Sequence, residues 1–270
     1  MPELPEVEIT RRGIAEHLTG EIVTDIVVRE ARLRYPVPNT LGDVLRGQRI
    51  ENIDRRAKYL LLNSKSGTVI IHLGMSGSLR VLPSGSPAQK HDHVDIVFGA
   101  RLLRLRDPRR FGAILWSAPP IEAHPLLAGL GIEPLTTAFD GEVLYAATRG
   151  RKTSIKLFIM DARIVVGVGN IYASESLFRA RIHPNIAAGK LSRARCDRLA
   201  AEIRATLTDA LAAGGSSLRD FVASDGASGY FQQQYTVYGR EGKACRICSS
   251  TIRRVVMGQR STFYCPSCQK

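Results

Sequence analysis

The sequence predicts an α+β chain of two domains: a leading helix with a β-rich half, then a helical half that ends in a small cysteine-bearing hairpin. Three observations predict it. Short β-type runs separated by turn residues fill the stretch from residue 22 to about 116, capped helical patterns follow from about residue 141, and two Cys-x2-Cys pairs close the chain. The 270 residues are enough for two modest domains with a real core.

The elements follow in order. Val7, Thr10, Ile14 and Leu18 recur at helical spacing, so a helix runs from Pro5 to about Leu18 and stops at Gly20. IVTDIVV, YLLLN, TVIIHL, VDIVF and LLRLR read as strands with turns such as SGSP at 84–87, a set that suggests a sandwich or barrel. Residues 118–135 are rich in Pro and Gly and read as a linker. Helices are expected at about 141–149 and 154–160, then one capped by Asn170 through Phe178 and a longer one capped by Ser192. In the longer helix Cys196, Leu199, Ile203, Leu207 and Leu211 form an apolar stripe, and Gly214-Gly215 end it. Cys196 reads as a small buried hydrophobe. Residues 216–238 are a polar, Gly-containing connector, and TIRRVVM with STFYC form the strands of a hairpin finger.

The charge points to a partner. There are 38 Lys and Arg against 25 Asp and Glu, a net charge of +13. Residues 240–270 hold seven basic residues against Glu241 alone, and RLLRLRDPRRFG holds a second cluster. Clustering favours a polyanion-binding surface over general solubility. Disorder throughout is excluded by the 44% hydrophobic content. No apolar run approaches the roughly 20 residues of a membrane-spanning helix. The start, MPELPEVE, lacks the basic and apolar segments of a secretory signal.

Cys245, Cys248, Cys265 and Cys268 present four thiols in two close pairs, which suits one tetrahedral, structural Zn²⁺ better than disulfides. At the other end, removal of Met1 leaves Pro2 as a secondary amine able to attack an electrophilic carbon and form a Schiff base, with Glu3 and Glu6 as proton carriers. The same residues also read as an ordinary helix start, and on their own they leave both readings open. VVGVGN at 165–170, opening a helix, is a candidate anion site or a plain Gly-rich entry. HLGMSGSLR and DPRRFG place Met75, Arg109, Arg110 and Phe111 on two tight turns; Met and Phe are types that wedge between bases, or they are ordinary core residues.

The motifs PELPEVE, RRAKYLLL, HLGMSGSLR, KHDHVD, DPRRFG, VGVGNIYASESLF, GYFQQQYTVYGREG and CRIC…TFYCPSC occur in one order from residue 2 to the last cysteine. Together they closely resemble the bacterial formamidopyrimidine-DNA glycosylase family, also called 8-oxoguanine DNA glycosylase. The resemblance implies a helix and β-sandwich at 1–130, a helix–two-turn–helix domain at 131–235 and a β-hairpin zinc finger at 236–270, with DNA held between the halves. It implies a cytoplasmic, monomeric enzyme that acts on double-stranded DNA containing oxidised purines, at no membrane, with one structural zinc. Pro2 matches the nucleophile, Glu3 the acid that protonates the opening sugar, and Glu6 a supporting carboxylate. Lys58 matches the proton donor of β-elimination and Arg260 the finger arginine of δ-elimination. Met75, Arg109 and Phe111 match void-filling residues, Arg109 facing the orphaned cytosine. His91, Arg110, Arg151, Lys156 and Asn170 match positions near phosphates, and 216–230 the loop over the everted base. Leu157-Phe158 departs from the family pattern and reads as packing. The competing readings are the sister endonuclease VIII type, whose PEGPE start is absent here, and a non-catalytic zinc-finger DNA binder.

Overall fold

The computed structural model describes residues 2–215 and 235–270. They fall into two compact units, residues 2–129 with Gly214 and Gly215, and residues 130–213 with 235–270.

The first unit begins with α1 (Leu4–Leu18), followed by β1 (Asp25–Val28) and the short α2 (Leu41–Leu45). Seven strands complete it: β2 (Asn52–Arg56), β3 (Tyr59–Ser64), β4 (Gly67–His72), β5 (Ser78–Pro83), β6 (Asp92–Phe98), β7 (Arg101–Arg106) and β8 (Ala113–Ser117). They form two antiparallel four-stranded sheets, ordered β1-β6-β7-β5 and β2-β3-β4-β8. Alternate residues of both sheets meet in one core: Ile26, Ile96, Leu103 and Leu105 from the first, Leu60, Leu62, Val69 and Ile71 from the second. The expected sandwich is therefore present. Val7, Ile14 and Leu18 of α1 enter the same core, at the spacing read from the sequence.

Two details differ from the sequence reading. β1 is shorter than IVTDIVV, because Ile22 leaves the strand to make an isolated bridge with Arg49. β2 reads NIDRR and escapes hydrophobic patterning, since as a sheet edge it buries only Ile53.

One buried ion network fastens a loop to the first sheet. Arg104 of β7 grips Asp95 of β6 with two hydrogen bonds of 2.8 Å and donates to the carbonyls of Ser86 and Pro87 at 2.9 and 3.0 Å. Arg29 adds a bond to Asp95 at 2.6 Å. The 84–90 turn has little apolar surface of its own, so these bonds hold it in place.

The second unit follows the 118–135 linker, where the division between units falls. It holds α3 (Gly141–Thr148), α4 (Ile155–Ile159), α5 (Asn170–Arg179) and α6 (Arg193–Ala212), then the hairpin β9 (Arg253–Met257) and β10 (Arg260–Tyr264). Ser192 caps α6 as expected, its hydroxyl accepting from the Arg195 N–H. Cys196, Leu199, Ile203 and Leu207 are buried, while Leu211 is half-buried near the helix end. Burial pushes the Cys196 thiol up, in keeping with an inert core residue. Asn170 is not the cap of α5. Gly169 occupies that position, and the Asn170 side chain is engaged elsewhere. No helix among the described residues is long and apolar enough to cross a membrane.

The Arg104–Asp95 pair makes a stability prediction. Burial raises the Asp95 pKa, but the hydrogen bonds from Arg104 and Arg29 outweigh it and hold the carboxyl below its ordinary value of 3.8. The pair's stabilisation is thus complete above that value and is lost as pH falls through the lowered one. Arg104→Ala leaves the buried Asp95 with only the partly exposed Arg29 of the two arginines that bond it, and frees the Ser86 and Pro87 carbonyls, so it is expected to cost about 3 kcal/mol in denaturant unfolding at pH 7. The deficit relative to the parent chain shrinks as the pH is taken below the ordinary aspartate range.

Candidate active site and metal centre

In the first unit the chain start is built by capping. Glu3 is the N-cap of α1 and Glu6 its third residue; the Glu6 carboxylate accepts the Glu3 N–H at 2.8 Å, and the Glu3 side chain reciprocates toward the Glu6 N–H. Pro2, Glu3 and Glu6 are all buried. The helix-start reading is thus correct as structure, and it is also what holds two carboxylates beside residue 2.

Lys58 lies in the two-residue turn between β2 and β3, where Arg56 pairs with Tyr59. Ala57 adopts φ 54°, a left-handed conformation that costs a non-glycine residue about 1–2 kcal/mol. Arg55 stabilises this turn by donating to the Ala57 carbonyl at 2.9 Å and to Glu8 of α1 at 3.1 Å. Glu8 also takes Arg11 at 2.9 Å and Arg12 at 3.0 Å. The hairpin that presents Lys58 is therefore tied to the helix that begins after Pro2.

His72, which sequence reasoning passed over, lies within electrostatic reach of Lys58. Burial first, then the Lys58 and Arg34 cations, hold its pKa down to about 4, so the ring is neutral at pH 7. The Gly74 N–H donates to Nδ1 at 3.0 Å, which leaves the ring proton on Nε2 as a donor near Lys58. The available signal was a histidine opening the LGMSGS turn.

That turn and DPRRFG lie against each other. A Cβ on Gly74, at φ 64°, would fall 2.4 Å from the Phe111 carbonyl carbon, so only glycine permits this approach. Met75 is half-buried, whereas Phe111 is 42% exposed with the Arg109 guanidinium 4.8 Å from its ring centre. Phe111 is not a core residue. Arg110 is exposed at φ 56° and pairs with Glu30 at 3.2 Å. His91, at φ 76°, precedes β6 and accepts the Asp107 N–H through its carbonyl at 3.0 Å.

The second unit positions Arg260 and Asn170. Arg260 is exposed and opens β10, directly after the Gly258-Gln259 turn with φ 53° and 61° at its two residues. Leu157 lies against Gly258, where an added Cβ would come within 2.8 Å of its side chain; this supports the packing reading of Leu157. Lys156 is fully buried, donating to Asn170 Oδ1 at 2.6 Å, Thr262 Oγ1 at 2.7 Å and the Ser261 carbonyl at 3.3 Å. Asn170 Nδ2 also donates to the Ser261 carbonyl at 2.9 Å. α4, α5 and the strand behind Arg260 are thus joined. Arg151 is exposed. Glu175 of α5, missed in the sequence, accepts the N–H groups of Thr236, Val237 and Tyr238 at 2.8–3.0 Å and the Thr236 hydroxyl, anchoring the entry to the finger. The expected 216–230 loop lies outside the described residues.

The four cysteines meet as expected, their Sγ atoms all within 4.8 Å of one another. Cys245–Cys268 and Cys248–Cys265 are 3.9 and 3.4 Å apart, and Zn–S bonds of about 2.3 Å in a tetrahedron require about 3.8 Å. N–H groups of Ile247 and Cys268 point at the sulfurs of Cys245 and Cys265 at 3.5 and 3.4 Å. Burial and the neighbouring thiols push the Cys268 thiol up to about 12, so four thiolates coexist here only around a cation. The set fits one structural zinc, with all four positions taken by protein.

Family models agree with this arrangement over nearly the whole chain. Residues 1–114 match the formamidopyrimidine-DNA glycosylase N-terminal domain, 130–222 its H2TH domain, and 242–270 the zinc finger found in FPG and IleRS. A formamidopyrimidine-DNA glycosylase from Aromatoleum aromaticum is 62% identical over 270 residues, covering all of both chains. The chain belongs to the formamidopyrimidine-DNA glycosylase family. Solved members of that family share the fold. A Lactococcus lactis FPG variant, determined with a Fapy-dG-containing DNA, superposes at TM-score 0.93 with 32% identity over all of both chains. The MutM (FPG) protein of Thermus thermophilus superposes at 0.90 with 36% identity, covering 99% of this chain and 98% of that one. The helices α3 to α6 all lie within the stretch that matches the H2TH domain.

Zinc removal tests the metal centre. Chelation is expected to release one Zn²⁺ per chain, read by a colorimetric zinc indicator, and to expose the hairpin to limited proteolysis while the β-sandwich stays resistant. Equal proteolysis with and without chelator would argue against a structural role for the metal.

Proposed function

We propose that this chain is a base-excision repair enzyme, a bifunctional DNA glycosylase and AP lyase. It removes 8-oxoguanine and formamidopyrimidines from duplex DNA and nicks the strand by β,δ-elimination. The observation that carries the reading is the buried, capped start of α1, which holds Pro2 and Glu3 with Glu6, tied through Glu8 and Arg55 to the hairpin that bears Lys58.

The chemistry follows from these groups. Loss of Met1 frees the Pro2 amine, whose ordinary pKa of about 8 leaves part of it unprotonated at pH 7. Its lone pair attacks C1′ of the damaged nucleotide, the C1′–N bond breaks, and the base departs with the bonding pair and gains a proton. Glu3 protonates the ring oxygen as the sugar opens, giving an iminium between Pro2 and C1′. The iminium acidifies the proton at C2′. A base takes that proton, the C2′–C3′ double bond forms and the 3′ phosphate leaves with its bonding pair, Lys58 acting as the proton donor of this step; a second elimination assigned to Arg260, with loss of the C4′ proton, expels the 5′ phosphate.

Access to C1′ requires the nucleotide to leave the stack at a cost of a few kcal/mol. Met75 and Phe111 fill the gap and Arg109 reads the orphaned cytosine, a role supported by the exposure of Phe111 on a tight turn. His91, Arg110, Arg151 and Asn170 face phosphates; Lys156 serves the same surface by holding Asn170 and the strand behind Arg260. The domain limits proposed are 1–130, 131–235 and 236–270, which the family matches support to within the linkers. The chain is read as a cytoplasmic monomer that acts on DNA and at no membrane; full-length likeness to a formamidopyrimidine-DNA glycosylase supports the DNA part of that reading.

Borohydride trapping tests the mechanism. The chain should form a covalent adduct with duplex containing 8-oxoguanine opposite cytosine, and intact-mass analysis should show Met1 absent. Pro2→Glu, whose large side chain keeps Met1 in place, should abolish the adduct; an undiminished adduct excludes Pro2 as the nucleophile. Arg260→Ala should weaken binding and reduce the slope of log affinity against log salt by about one. An unchanged slope removes Arg260 from the phosphate-binding set.

A further inference from the structure

Between the two wedge-bearing turns stands a fully buried carboxylate, that of Asp107, which has no part in the chemistry above. We propose that Asp107 is a positioning residue that locks the Met75 turn and the Arg109–Phe111 turn into one rigid wedge, so that void filling and reading of the opposite base depend on it. This rests on the void-filling roles proposed for those residues.

The bonds run to both turns. Asp107 Oδ1 accepts the Ser76 hydroxyl at 2.8 Å and the Arg109 N–H at 3.3 Å, and the Arg109 N–H also reaches Ser76 Oγ at 3.2 Å. Asp107 Oδ2 accepts the Gly112 N–H at 2.7 Å. One carboxylate therefore holds the residue after Met75 and both flanks of the Arg110-Phe111 pair. Asp107 is itself fixed through its backbone: its N–H donates to the His91 carbonyl at 3.0 Å, and its carbonyl meets His93 Nε2 at 2.8 Å and the Arg110 N–H at 3.2 Å.

The wedge needs such a support. Arg109, Arg110 and Phe111 are exposed, so no apolar burial orders them. Removing the carboxylate leaves the Gly112 N–H and the Ser76 hydroxyl inside the protein without their acceptor and the Arg109 N–H with Ser76 Oγ alone, and the turns must open to reach water. A displacement of about 1 Å in positioning groups is enough to cost about 100-fold in rate. Asparagine is a mild change here, because its oxygen still serves Gly112 while its amide turns to the Ser76 oxygen.

The test uses the purified full chain and three duplexes: 8-oxoguanine opposite cytosine, 8-oxoguanine opposite adenine, and a preformed abasic site. Asp107→Ala should slow single-turnover excision opposite cytosine about 10- to 100-fold and bring the cytosine-to-adenine rate ratio close to one. Abasic-site cleavage, which needs no base expulsion, should stay within about threefold of the parent. Asp107→Asn should keep both rate and ratio. Ser76→Ala should move both in the same direction by less, and it decides the matter if Asp107→Ala does not fold. Parental selectivity in folded Asp107→Ala, or in Ser76→Ala where that one must decide, overturns the proposal. Equal loss of excision and abasic cleavage in a folded variant overturns it as well. A parent chain that excises no 8-oxoguanine overturns the assigned function and this proposal with it, whereas an active parent with unaffected variants overturns this proposal alone.

Discussion

The carboxylate of Glu8 is the point on which the first unit depends. It sits on α1 and is shared by Arg11, Arg12 and Arg55. Burial opposes its ionisation, yet the hydrogen bonds from the arginines prevail and hold its pKa below the ordinary value. The Arg55 contact is only 12–13% exposed on either side, so water screens it weakly. A helix start and a hairpin turn, distant in sequence, thereby share one anchor. The roles proposed for Pro2 and Lys58 call for fixed places, and this anchor ties together the two elements that carry them.

The second unit meets the same need with a different device. Lys156 spends its ammonium on three oxygens inside the protein, two of them on the strand that follows Arg260. Zinc closes the far end of the hairpin through four thiolates, and Glu175 holds the chain just before it. Metal, ammonium and carboxylate fix a finger whose own apolar core is small, consisting chiefly of Phe178, Val237, Ile252, Phe263 and two cysteines.

Much of this was legible in the sequence, and the limits have physical causes. Helical spacing located α1 and α6 because each buries one stripe, and short β-type apolar runs located β3, β4, β6 and β7 because these strands are buried almost throughout. β2 was invisible, as an edge strand of mostly charged residues carries no such pattern. The cysteine spacing sufficed for the metal centre. The N-terminal motif did not separate a helix cap from a nucleophile, because the carboxylates that cap α1 are the same ones that flank residue 2. His72, Glu175 and Asp107 lay beyond reach: their significance comes from partners brought close by folding, such as Lys58 beside His72 or Thr236 on Glu175. Asn170 looked like a cap because short polar residues precede helices so often, yet its amide is bound to Lys156 and Ser261.

The close approach of Gly74 to Phe111, and of Gly112 to the His72 carbonyl at 2.8 Å from an added Cβ, has an evolutionary consequence. Neither glycine can change alone without moving a backbone it touches. The side chains at the tips, Met75 and Phe111, are under no such restriction. Drift can exchange one apolar tip for another, and with it the bulk and shape presented at the turn ends, while the platform beneath remains frozen. Variation in such a lineage is expected to collect at the tips of these turns and not in their bases.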